Sequence, residues 1–143
     1  MSHFLGETVP ALERTISLVD MVVYAGATWD WYGMHYDPAF AAAAGVPAPV
    51  VDGQVFGALF VEQLQDWLGP QCFVQRLEFG FRNLMFAGET VRLEGTVTEA
   101  STESVTVSLT ATILASGFGP ERPAAAPATA LVLLGAADGP GAS

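Results

Sequence analysis

A chain of 143 residues, 51% of them hydrophobic, is long enough for one domain with a real core and short for two. Fifteen acidic residues face five basic ones, all Arg, so the formal charge is -10 and nucleic acid is repelled rather than steered in. Cys72 is the single cysteine, which excludes an internal disulfide and any multi-thiolate metal site, and a reducing, cytoplasmic location fits best.

From the start of the chain, Glu7, Glu13 and Asp20 interrupt the apolar stretch that a secretory signal would need. No apolar run approaches the roughly 20 residues that span a bilayer, so no membrane association is expected. Between Gly6 and Ile16 the chain reads as an entry turn and a short strand. Ser17 has the character of an N-cap for a helix from Leu18 to about Ala27, in which Leu18, Met21, Val22 and Ala25 recur at helical spacing. Thr28 to Asp37 has no clean period and reads as a loop. Asp37 or Pro38 opens a short Ala-rich helix that Gly45 stops, and two prolines hold the next segment extended. The helix expected over Gln54 to Leu68 is apolar nearly all the way round in its first two turns, VFGALFV, which predicts that it is surrounded.

After Pro70 the period changes to two. Strands are expected over Cys72 to Arg82, around Val91 to Val97 and over Ser104 to Ile113, where Val105, Val107, Leu109, Ala111 and Ile113 oppose Ser and Thr. A last strand, about Ala128 to Leu134, follows a Gly/Pro/Ala-rich loop. Residues 1–134 thus read as a single domain and 135–143 as a disordered tail. The fold class expected is α+β, an antiparallel sheet curled around a central α-helix. The strand at Ser104 to Ile113 carries no Lys, Arg or Pro to guard an edge, so it is expected to be paired, and a second chain is one way to pair it.

Of the two histidines, His3 lies near the terminus, where fraying is expected. His35 follows Asp30 on one loop, upstream of a helix N-terminus that can bind an anion. Such a pair can transfer protons, although a His in a loop with a nearby Asp is more often a solvated or structural contact. The run Trp29 to Leu59, WDWYGMHYDPAFAAAAGVPAPVVDGQVFGAL, resembles the signature of the MaoC-like (R)-specific enoyl-thioester hydratase/dehydratase family. There Asp-x-Asn-Pro-x-His-x-Asp precedes an Ala-rich helix, a Gly-hydrophobic-Pro step and a His-Gly pair. Asp30, His35, Asp37, Gly45, Pro47 and Gly53 match. The later FRNLMFAGETVRLEGTV is similar to the family's Phe-Arg strand pair, and WLGP at Trp67 to Pro70 looks like the helix end of small MaoC-like subunits of steroid side-chain degradation, some of which work as heteromers.

The resemblance implies a hot-dog fold and reversible addition of water to an enoyl thioester, giving an (R)-3-hydroxyacyl thioester. Asp30 and His35 would be the acid/base pair, and the Gly53 N–H would hold the thioester oxygen. No metal or redox cofactor is implied. The acyl group would be carried on coenzyme A or an acyl carrier protein, and the chain would form a homodimer or a heteromer with a related hot-dog chain. Two positions depart from the pattern: Tyr32-Gly33 replaces Asn-Pro, and Asp52 replaces the His before Gly53. Asp52 reads either as a helix cap or as a cavity-facing group that adapts the site to its substrate. Tyr32, with Trp29 and Trp31, reads either as acyl-pocket lining or as packing. Arg82 either meets a phosphate or pairs with a Glu. Cys72 reads as a small core residue. Two rival functions remain: a hot-dog thioesterase using Glu62 on the central helix, and a partner subunit that completes another chain's site.

Overall fold

In the computed structural model, which describes residues 2–135, the chain runs β1 (Thr8–Thr15), α1 (Leu18–Thr28), a 3-10 turn (Gly33–His35), α2 (Pro38–Ala43), α3 (Gln54–Leu68), β2 (Phe73–Phe81), β3 (Thr90–Ala100), β4 (Ser104–Ile113) and β5 (Arg122–Leu133). The expected tail lies, from residue 136 on, outside the described residues. Local chemistry sets the helix ends. Ser17 Oγ accepts the Asp20 N–H at 3.1 Å while an Asp20 carboxylate oxygen accepts the Ser17 N–H at 2.8 Å, a closed capping box. Asp37 caps α2 through the Ala39 N–H at 2.9 Å, with Pro38 at the first helical position.

The strands form one antiparallel sheet in the order β1-β3-β4-β5-β2. Alternation delivers Val91, Leu93 and Val97 of β3 and Val105, Val107, Leu109 and Ile113 of β4 to one face, where they are buried with Phe56, Phe60 and Leu64 of α3. Each such side chain contributes roughly 1.5–3 kcal/mol by leaving water. Gly95 permits close packing there, since a Cβ would come within 2.8 Å of Leu109.

The sheet does not curl around the helix. Its order is linear and open, ending at β1 and β2, and α3 lies against one face. Gln54, Ala58, Gln65 and Asp66 stay exposed on the far side of α3, and Gly57 and Val61 are only half covered. The all-round apolar pattern misleads here because its outward members include a glycine and an alanine, whose exposure costs little. β4 is no edge either: β3 and β5 pair with it on both sides, so its unguarded Ser and Thr need no second chain. β5 begins six residues earlier than the Ala128 expected, at Arg122. Pro127, which has no N–H, falls where the register with both neighbours shifts, so the ladder tolerates it. His3 is not frayed; its ring stacks edge-on against Trp67 at 4.8 Å and its Nδ1 lies 3.1 Å from Glu7.

All five arginines have partners. Arg14 meets Glu62 at 2.6 Å, Arg76 meets Glu78 at 2.7 Å, and Arg92 meets Glu94 and Glu121 at 2.8 and 3.3 Å. Arg122 meets the buried Glu89 at 2.7 Å, and Arg82 donates to the Ala126 carbonyl rather than to a Glu.

Candidate active site

The site is built where the loop after α1 meets the segment before α3. Three successive hydrogen bonds, from His35, Tyr36 and Asp37 N–H back to Tyr32 and Gly33 carbonyls, wind the 3-10 turn. Gly33 is required there by space: a Cβ would press to 2.7 Å of the Phe40 ring. The turn is tied to the extended segment twice, by the Val50 N–H to the Met34 carbonyl at 2.9 Å and by His35 Nδ1 to the Val50 carbonyl at 2.8 Å. A carbonyl can only accept, so Nδ1 carries a proton, and Nε2 is the nitrogen left to exchange one. Val50 is held in turn by a bridge to Phe86.

Asp30 follows Trp29, the one non-glycine residue at positive φ among the described residues, at 58°. Its Oδ1 accepts the Tyr32 N–H at 3.2 Å. Asp52 Oδ1 accepts the Gln54 N–H at 2.9 Å, a cap at the start of α3. Asp30, His35 and Asp52 each place a ligand-type atom within 4.8 Å of the others, close enough to share one small guest. They line a small, partly open cavity of about 10 Å³, room for one water molecule, with Asp30 exposed and His35 and Asp52 half-buried. Both readings of Asp52 therefore hold together: it caps the helix and it faces the cavity.

Met21, Ala25 and Val55 form the cavity's apolar wall, and Tyr24 adds a fourth polar group. Burial first, then the charges of Asp52 and Asp30, raise the Tyr24 pKa above its ordinary 10.0, so the phenol stays protonated. Sequence reasoning missed Tyr24 because it assigned the inner face of α1 to Val22, which is 41% exposed. The available signal was its position three residues after Met21, one helical turn along the same face.

Tyr32 is exposed and stands edge-on to His35, with ring centroids 5.5 Å apart, and to Phe40 at 5.4 Å. Gly53, already in helical conformation just before α3, lies against the Phe81 ring, which a Cβ would overlap. Glu62 lies outside this group, bound to Arg14 on the surface. Cys72 is buried, and that burial pushes its thiol pKa up, as suits a core residue. No helix among the described residues is long and apolar enough to cross a membrane.

A model of the MaoC like domain matches residues 2–116. The chain belongs to the MaoC-like family. The (R)-specific enoyl-CoA hydratase of Aeromonas caviae is 27% identical to this MaoC-like chain over 107 residues, covering 74% of it and 80% of the relative. Among solved structures, the A. caviae (R)-hydratase involved in PHA biosynthesis aligns with a TM-score of 0.77 at 26% identity, covering 92% of this chain and 96% of that one. The unliganded R-hydratase PhaJ1 from Pseudomonas aeruginosa gives 0.82 at 18% identity, with coverage of 99% and 92%. A chain of the ChsH1-ChsH2 complex from Mycobacterium tuberculosis gives 0.79 at 23%, with coverage of 91% and 97%. This MaoC-like protein is thus a hot-dog-fold enzyme of the hydro-lyase class.

Proposed function

We propose that the chain catalyses reversible hydration of an enoyl thioester to an (R)-3-hydroxyacyl thioester, with Asp30 and His35 as the acid/base pair. The observation that carries this reading is the one-water cavity lined by both groups, with the His35 ring held in the tautomer that leaves Nε2 able to accept a proton. In hydration the water oxygen bonds to C3 as the C2=C3 π pair moves toward the thioester carbonyl. One water proton passes to the pair, and a proton returns to C2. General acid/base catalysis of this kind contributes roughly 10²–10⁴-fold.

The growing negative charge on the thioester oxygen is met by the N–H of Gly53, at the start of α3, where the helix dipole favours an anion. Tyr32 borders the acyl group. The acyl carrier is coenzyme A or an acyl carrier protein. Exposed Phe73 and Phe81 on the open β2 edge favour assembly with a second hot-dog chain, as a homodimer or heteromer, and Phe81 abuts Gly53 at the site. The mycobacterial relative, itself a two-chain complex, supports the second form.

Ultraviolet absorbance of a panel of enoyl thioesters tests the reading. Asp30→Asn and His35→Ala should each slow hydration at least about a hundredfold with little change in melting temperature. Near-wild-type rates in both variants would remove the mechanism. Glu62→Gln should leave turnover intact; if it instead abolishes release of free thiol, the thioesterase reading takes over.

A further inference from the structure

We propose that Tyr24 is a further catalytic residue, its phenol donating a hydrogen bond to the oxygen that is added to C3 in hydration and lost from it in dehydration. The inference rests on the hydratase reading and assigns it a group beyond the Asp/His pair. A water is held in one place by two to four polar partners, and a water molecule offers two protons and two lone pairs. In this cavity Asp30 and Asp52 are carboxylates, which when ionised only accept, and His35, whose Nδ1–H is committed to Val50, also accepts at Nε2 when neutral. Three acceptors around one water leave its lone pairs unoriented.

Tyr24 is the side chain of the cavity wall that brings a donor under these conditions. Its hydroxyl has no partner of its own among the described residues. Along α1 it is the Tyr24 backbone carbonyl that accepts from Thr28 Oγ1, at 2.8 Å, so that bond leaves the phenol uncommitted. With the phenol donating to one lone pair and two acceptors taking the protons, the remaining lone pair is free to meet C3. In the reverse direction the same O–H faces the hydroxyl oxygen as the C3–O bond breaks and charge gathers on it, where a donor is worth most. The half-buried ring packs against the core, so the hydroxyl can be removed without opening the wall.

The test is Tyr24→Phe in the full chain beside Asp30→Asn, with kcat and KM measured on the enoyl thioester that the wild type turns over best. The expected result is a kcat lower by about ten- to a hundredfold, a KM within about threefold and an unchanged melting temperature, because a group acting on the reacting oxygen affects the transition state and not ground-state binding. An unchanged kcat in Tyr24→Phe alongside an inactive Asp30→Asn would overturn the role of Tyr24 and leave the hydratase reading standing. A rise in KM alone would likewise overturn it, as the mark of a binding contact. Absence of hydration in the wild type across the panel would overturn both.

Discussion

At Trp29 a large L-residue occupies the left-handed conformation that ends α1, a position glycine normally fills, and the next residue is Asp30. The left-handed backbone costs an L-residue roughly 1–2 kcal/mol, and glycine forfeits part of that through its greater freedom when unfolded. Trp29→Gly should therefore be more stable than Trp29→Ala by about 1 kcal/mol, a comparison in which both variants lose the ring and only the backbone differs. Urea melts of the two decide it; equal midpoints would show that no strain is held there. That Asp30 and His35 lie near each other was legible from the motif that carries the family resemblance. Tyr24 was not, because the inner face of α1 was assigned through Val22 instead, and the dual role of Asp52 needed the cavity to be seen.

Element boundaries set by chemistry local in the chain were readable: Ser17 with Asp20, Asp37 with Pro38, and Gly69 after α3 all lie where their side chains or backbone freedom act. Features decided by distant partners were not. The early start of β5 depends on β4 and β2 supplying its ladder, and the openness of the sheet depends on which strands fail to meet. The buried Glu89 is another such long-range element. It accepts from Arg122, Ser116 Oγ and the Phe86 N–H, and Phe86 bridges to Val50, whose carbonyl holds His35. Burial pushes its pKa up, but those three partners outweigh burial and hold it below the ordinary 4.5. A carboxyl whose folded pKa is depressed adds stability above its unfolded value and loses it as pH falls through the folded one. Glu89→Gln should cost about 3 kcal/mol at pH 7, where Arg122 is left without its counter-charge, and markedly less near pH 3. Denaturant melts at both pH values check the sign; a cost that does not shrink on acidification would rule it out.

At the scale of the whole molecule, the chain carries ten surplus negative charges, the acyl carrier of the proposed function is itself anionic, and every guanidinium is already occupied within the chain. Long-range repulsion between such partners is screened by electrolyte, with a Debye length of about 30 Å at 0.01 M ionic strength and about 8 Å at 0.15 M. If this chain alone contacts the carrier, KM for a coenzyme A thioester should fall as ionic strength rises over that range. That is the reverse of what a phosphate-binding cationic patch produces. Steady-state kinetics in a salt series, run with the protein alone and with any co-purifying hot-dog chain, separate the two cases. A KM that climbs with salt in the isolated protein would mean that one of the five arginines abandons its internal partner for the ligand. The pairing of its few cations thus makes ionic strength a direct report on whose surface would receive the phosphates of the proposed carrier.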